Sequence, residues 1–496
     1  MAAPFPIRLS LFAPVVLALT ACGVDRDDSV VDVAYIDEPG PIEARGLRLS
    51  PAGQHLRAAT REGLVALDAA GEVVPAIAER WIVTDDGLSY IFRLRNSNWP
   101  DGEPITSQSV RDQLRRTIDR LDGTTLGLDL APVAEVRAMA GRVVEVRLSG
   151  PMPGFLQLLA QPELGFERDG RGTGPMRAEV EEGGTVVLTP LPPQDRGLPE
   201  MEGWADAIKT VRLRALAPER AVAAFDAGEA DLVFGGTLAN WPLADTGALS
   251  RGTVRLDAAL GLFGLEFAHD DGFFADAGNR EAVALAIDRE ELLQPFNIGG
   301  WVPTTRIVPP ELAEAERGGP APERWADRTI EDRQAQAAGR VSAWEAVSGE
   351  PLVLRLYLAP GPGSDLLFRQ LARDLATAGI GLRLVDQPAG ADLLLKDRMA
   401  RYGGSRWFLN QFNCRVVRGA PCSAEADSLV RTAATTTNSQ EQSALLAEAE
   451  SILLAQNVFV PLGAPIRWSQ VRGGVEGFQE NRWNLHPLFP FAQAPI

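Results

Sequence analysis

Between Leu352 and Leu384 the spacing of apolar residues changes twice, and no other stretch restricts the fold as strongly. Leu352, Leu354, Leu356 and Leu358 recur every second residue, the period of a β-strand. From Ser364 the period becomes helical, with Leu367, Leu371 and Leu375 on one side and Gly379 as the stop. Ile380, Leu382 and Leu384 then alternate again. Strand, helix and strand in about thirty residues predict a right-handed βαβ crossover and a parallel sheet. The fold class is therefore α/β.

The first half reads as strand-rich. Tyr90, Phe92 and Leu94 alternate with Ile91, Arg93 and Arg95 after the Asp86-Gly87 turn. Thr106 is placed to cap a helix with Val110, Leu114, Ile118 and Leu121 on one face. Val143–Leu148, Thr185–Leu191 and Val211–Ala215 are further strands. In the second half Asn279 is the expected cap of a helix carrying Val283, Ala286 and Ile287, and Asp288-Arg289-Glu290-Glu291 opens another. Residues 309–340 read as a surface excursion with helical pieces. Ser443–Gln456 follows as a helix and Val458–Leu462 as a strand. Two or more lobes are expected, because 496 residues exceed what one core usually serves.

The N-terminus reads as an export signal. Arg8 is the only charge before Asp25, Leu9–Leu19 is apolar apart from Ser10 and Pro14, and Leu19-Thr20-Ala21-Cys22 follows. The stretch is too short to span a hydrocarbon core of about 30 Å. Leu-Thr-Ala-Cys looks like a lipobox, which implies cleavage of residues 1–21, lipidation of Cys22 and a membrane anchor. The plainer alternative is an ordinary signal peptide cut near Ala21. Residues 22–32, with four Asp among residues 23–32, read as an acidic tether. Three cysteines are an odd number for an exported chain; lipidation of Cys22 leaves Cys414 and Cys422 for a disulfide. Closing so short a loop adds about 2–3 kcal/mol in the chain-entropy model.

A net charge of −18 argues against nucleic acid or an anionic membrane surface as an electrostatic partner. His55, His269 and His486 are scattered along the chain, so no metal site, cofactor or catalytic set is expected. There is no Gly-x-Ser-x-Gly, no His-Glu-x-x-His and no Walker loop.

Several specific motifs run through these segments: Glu62-Gly63-Leu64-Val65, Val74-Pro75-Ala76-Ile77-Ala78-Glu79-Arg80-Trp81, and Asp85-Asp86-Gly87-Leu88-Ser89-Tyr90-Ile91-Phe92-Arg93-Leu94-Arg95. Trp99-Pro100-Asp101-Gly102-Glu103-Pro104-Ile105-Thr106, Gly172-Thr173-Gly174-Pro175, Ala227-Gly228-Glu229-Ala230-Asp231 and Asn279–Glu290 add to them. Together, in this order, they give the chain a resemblance to the family 5 extracellular solute-binding proteins, the peptide-type receptors of ABC importers. It implies a two-lobed periplasmic-binding-protein-like fold of the large cluster C type, with mixed sheets and a two-strand hinge. The expected partition is lobe I over 33–262, lobe II over 263–469 and a return to lobe I over 470–496. The implied function is capture of a small, oligopeptide-like solute by a monomer, for delivery to a permease and ATPase complex on the periplasmic side of the envelope. Gly23, not Asp, follows Cys22, and in enterobacterial-type sorting Asp there favours the inner membrane; the anchor's membrane is left open.

Two departures stand out. Peptide-binding relatives often carry an aspartate after a Trp-rich segment, which pairs with the peptide α-amine, whereas Tyr402–Cys414 contains no acid. Arg61 stands where relatives usually have Tyr. Within the segment Trp407 is the candidate to stack on solute, and Asn410 and Asn413 are candidates to bond its polar groups. Arg398 and Arg401 are candidates for a ligand carboxylate, against the plainer readings of core, turn and surface. Glu62 is assigned a structural hydrogen-bonding role. The rival functions are a chaperone or sensory lipoprotein on the same fold and, further off, a carboxylate-dependent hydrolase.

Overall fold

The strand–helix–strand at Leu352–Leu384 forms as expected: Val353–Tyr357 and Gly381–Val385 pair in parallel, joined by the helix Pro362–Thr377. Leu354, Leu356, Leu367, Leu371 and Leu375 are buried together. Gly379, at φ +79°, takes the left-handed turn that releases the chain into the second strand. The structure is a computed structural model and describes residues 28–244, 252–317 and 322–493. The leader, Cys22 and the first part of the tether lie outside the described residues.

This crossover belongs to a five-stranded mixed sheet ordered Gly381–Val385, Val353–Tyr357, Leu393–Met399, Gly261–Phe267 and Phe459–Gly463. A seven-stranded mixed sheet builds the other lobe, ordered Met176–Val180, Val186–Pro190, Thr210–Leu216, Val30–Ile36, Leu232–Thr237, Arg467–Val471 and Val254–Leu256. The chain passes between the sheets twice, from Leu256 to Gly261 and from Gly463 to Arg467. These are the two crossings of the expected hinge. A four-stranded antiparallel sheet (Ala78–Val83, Ser89–Leu94, Val143–Leu148, Val133–Met139) is inserted into the first lobe. Tyr90, Phe92 and Leu94 point into its core as their alternation requires.

Local chemistry accounts for the element ends. Thr106 caps the helix Ser107–Arg120 in a reciprocal box with Ser109. Gly172 and Gly174 sit where a Cβ would lie 2.2 Å from the backbone of Thr60, so the Gly-Thr-Gly-Pro turn exists to let two backbones touch. Among the described residues no helix is long and apolar enough to cross a membrane.

One expected cap shifts, and the strand pairing shows where each sheet begins. Val30–Asp32, at the end of the expected tether, pair in register with Thr210–Arg212. Asp276, not Asn279, caps the helix Ala277–Ala286; its carboxylate accepts from the Gly278 and Asn279 amides at 2.8 and 3.1 Å, which draws the helix start three residues back. The second lobe's sheet begins at Gly261, and the return strand begins at Arg467, which pairs with Thr237 of the first sheet. Finally, the helices Ser405–Asn410, Ala424–Ala433 and Ser439–Ala455 bury Phe408, Val430 and Leu453 in the same core as the four-stranded sheet. Their apolar faces are buried together with those of the inserted sheet, so the core does not divide where the chain does.

Candidate functional site

Strands of the two sheets end facing one another, and between them lies a cavity of about 1100 Å³. Its walls come from both lobes. Tyr35 and Ile36 end the strand Val30–Ile36, Thr237 ends Leu232–Thr237, and Tyr357 ends Val353–Tyr357. Carboxyl ends of parallel strands are where ligands sit in α/β sheets, because the crossover connections part there.

His55, on the helix Pro51–Thr60, lines the first-lobe wall. Its Nδ1 bonds the Pro51 carbonyl at 2.8 Å, and its Nε2 accepts from the His486 amide at 3.1 Å. An amide only donates, so the proton sits on Nδ1 and the ring is neutral; burial also lowers its pKa to about 4. His486 bonds Asp257 at 3.0 Å, and Tyr35 and Phe234 pack around the pair. Two histidines that are distant in sequence thus meet, but as a buried scaffold under the cavity wall. Among the described residues no group of His, Cys, Asp and Glu is placed to hold a metal ion.

The five candidates from sequence separate into two groups. Arg398, Arg401 and Trp407 line the cavity. Arg398 is exposed into it and donates to Gln411 at 3.2 Å. Arg401 bridges the lobes: its Nη1 donates to Gln54 and Gln161 at 3.0 and 2.9 Å, and its Nη2 pairs with Glu163 at 2.9 Å. Trp407 borders the cavity while being only 3% exposed, and packs T-shaped against Phe408. Asn410 and Asn413 form no part of the wall. Asn410 donates to Asp129 at 2.7 Å. Asn413 accepts from the Arg415 amide at 2.9 Å beside the Cys414–Cys422 disulfide. Asn413 makes the local side-chain-to-backbone bond that short amides favour, while Asn410 is held by a buried carboxylate far away in sequence.

Sequence reasoning missed Gln54, Gln161, Glu163 and Arg467. Each is an ordinary polar residue in its own segment, and only the tertiary fold makes them converge. Arg467, on the return strand, pairs with Asp397 of the second-lobe sheet at 2.6 Å, a second bond across the crossing.

Asp129 is buried at the contact between the inserted domain and the helix Ser405–Asn410. Its Oδ1 accepts from Tyr402 and Asn410 at 3.1 and 2.7 Å, while its Oδ2 has no hydrogen-bond donor. Desolvation pushes its pKa up to about 6, against the lowering effect of Arg406. The folded chain therefore holds this proton more tightly than the unfolded chain. The resulting stabilisation is complete below pH ~4 and is lost as pH rises through 6, by as much as about 3 kcal/mol. D129N is expected to remove this loss, so that its melting temperature gains on the parent's between pH 4 and 7. Parallel melting curves across that range would show that Asp129 does not carry the raised pKa.

Two sheets, two crossings and a cavity walled by both lobes define the bivalve class of binding proteins. The chain belongs to the bacterial extracellular solute-binding proteins, family 5, whose model matches residues 72–397, more than half of the chain. It is 28% identical over 292 residues to the probable deoxycholate-binding periplasmic protein YgiS of Escherichia coli K12, an alignment covering 51% of this chain and 52% of the relative. Against the periplasmic oligopeptide-binding protein OppA of the same organism it is 24% identical over 464 residues, 84% of each chain. The chain thus spans about half the length of the first relative and most of the second. Haemophilus influenzae OppA in complex with RPPGFSPFR superposes with a TM-score of 0.79 at 18% identity, covering 93% of this chain and 99% of that one. The Escherichia coli murein tripeptide binding protein MppA gives 0.77 at 19%, covering 94% and 99%. At such identities the structural likeness establishes the fold.

Proposed function

We propose that this chain is the solute-capturing receptor of an ABC importer, tethered through a lipidated Cys22 on the periplasmic side of the envelope. One observation carries the reading: the cavity of about 1100 Å³ is walled by both lobes, and Arg401 and Arg467 already bond across between them. A solute held there touches both lobes at once, so it stabilises the closed form by its differential contacts and nothing else. Relatives named for deoxycholate, oligopeptides and a murein tripeptide support capture of a solute without fixing which one. The chain then delivers the solute to a permease and ATPase complex and acts as a monomer; Arg398, Arg401 and Trp407 are the sequence candidates retained as solute contacts.

Ligand that binds only the folded form raises the melting temperature by mass action, about 2.7 kcal/mol of stability at a hundredfold excess over Kd. A screen of di-, tri- and oligopeptides, sugars, bile acids and metal chelates is expected to yield at least one such rise. A screen in which nothing shifts contradicts solute capture. For the anchor, C22S is expected to move the protein from the detergent phase to the aqueous phase on cloud-point partition; unchanged partition contradicts lipidation at Cys22.

A further inference from the structure

The charges around the cavity are not those of the chain as a whole. The protein carries −18, yet Arg48, Arg398, Arg401, Arg415, Arg418 and Arg467 all line this one cavity. The acids lining it are Asp129, Glu163 and Asp397. Each is already engaged: Asp397 is ion-paired with Arg467 at 2.6 Å, Glu163 with Arg401 at 2.9 Å, and Asp129 Oδ1 accepts from Tyr402 and Asn410, while Asp129 Oδ2 and Glu163 Oε2, which have no donor, are buried. Arg415 pairs with Asp122. Among the described residues Arg48, Arg398 and Arg418 have no carboxylate partner, and all three are exposed into the opening. They come from separate places: the approach to the first-lobe helix Pro51–Thr60, the second-lobe strand Leu393–Met399, and the disulfide loop Cys414–Cys422.

Resting on the solute-binding reading above, we propose that this cavity takes a solute with at least two negative charges and no ammonium group, bridged between arginines of the two lobes. Guanidinium groups bind carboxylate and phosphate through paired, charge-assisted hydrogen bonds. An ammonium would enter a site whose carboxylates are already ion-paired or buried and whose unpaired cations are all of its own sign, so its desolvation would be poorly compensated. The anion also explains why closure depends on the solute. Shutting the lobes without it gathers free like charges, whereas shutting them on a dianion neutralises them. The acidic surface does not prevent this, since repulsion from charges further away than roughly 8 Å is screened at physiological ionic strength.

The test is isothermal titration of the full-length mature protein in detergent against three arms. The anionic arm is succinyl-alanyl-alanine and citrate; the zwitterionic arm is alanyl-alanine and trialanine; the cationic arm is alanyl-alanine amide. Binding is expected in the anionic arm alone, weakened about ten-fold by each of R48Q, R398Q and R418Q. The melting temperature without ligand is expected to stay unchanged in these variants, because all three residues are exposed. Equal or tighter binding by a zwitterion or cation overturns the proposal, as does anion binding that none of the three substitutions weakens. Absence of binding in every arm also overturns it. Solute capture itself then stands if the broader melting screen finds a ligand, and falls if it does not.

Discussion

Trp407→Ala is expected to lower the unfolding free energy by about 3–5 kcal/mol, the range for deleting a large aromatic from a packed core. The indole is 3% exposed, meets the edge of Phe408 at 4.8 Å, and shares its cluster with Tyr402, Leu409 and Phe412. This cluster continues into the four-stranded sheet through Phe155 and Leu158. The cavity left behind would therefore loosen the contact between the inserted domain and the helices that cover it. Because Trp407 also borders the solute cavity, a loss of binding alone would not distinguish the two roles. Denaturant unfolding of the ligand-free protein does. A midpoint within error of the parent's would place the residue outside the core, whereas the expected fall makes any binding defect partly a consequence of lost packing. W407F, which keeps most of the apolar contact, is expected to lose roughly half as much or less.

Glu62→Ala is expected to be as damaging, at about 3–5 kcal/mol, for an electrostatic reason. Glu62 is 6% exposed, and its two oxygens are bonded by two guanidinium groups, those of Arg95 and Arg196. Arg95 is itself buried and donates to the Ala76 carbonyl as well. Removing the carboxylate leaves two desolvated cations without a counter-charge, which costs far more than the pair contributed while intact. The three segments it joins are the end of the first helix, the end of the strand Ser89–Leu94, and the 3₁₀ turn Pro193–Arg196. E62Q keeps one acceptor oxygen and is expected to lose less. A cost below 1 kcal/mol for E62A would show that solvent reaches the pair.

The residues best read from sequence are those whose role is set by their neighbours along the chain. The alternation of Tyr90, Phe92 and Leu94, the cap at Thr106, and the change of period between Leu352 and Leu384 all depend on spacing. They appear in the fold as expected. The structural role expected for Glu62 belongs here too, since the Glu-Gly-Leu segment carries the family's pattern. Asn279 was a sound cap by type, but Asp276 offered the same chemistry three residues earlier. Competition between nearby caps is decided by packing, not by spacing.

The cavity was legible only in part. Trp407 lies in the Tyr402–Cys414 segment that the family pattern singles out and Arg398 and Arg401 lie just before it, and all three line the wall. Asn410 and Asn413 share Trp407's segment, but Asn410, at the end of its helix, is turned onto Asp129, and Asn413, in the loop beyond, onto the Arg415 amide. Gln54, Gln161 and Glu163 converge on Arg401 from segments hundreds of residues away, and nothing local to them announces it. A strand's membership is decided by its ladder, which spacing along the chain does not reveal, and Arg467–Val471 has its partners in the seven-stranded sheet.

Enclosure of a small solute between the lobes is tested most directly by native mass spectrometry of the mature protein after incubation with a peptide digest and a metabolite extract of its own host. The expected spectrum shows a species heavier than the bare chain by one small molecule, which is released when the protein is denatured. A spectrum with only the bare chain under all these conditions would contradict it.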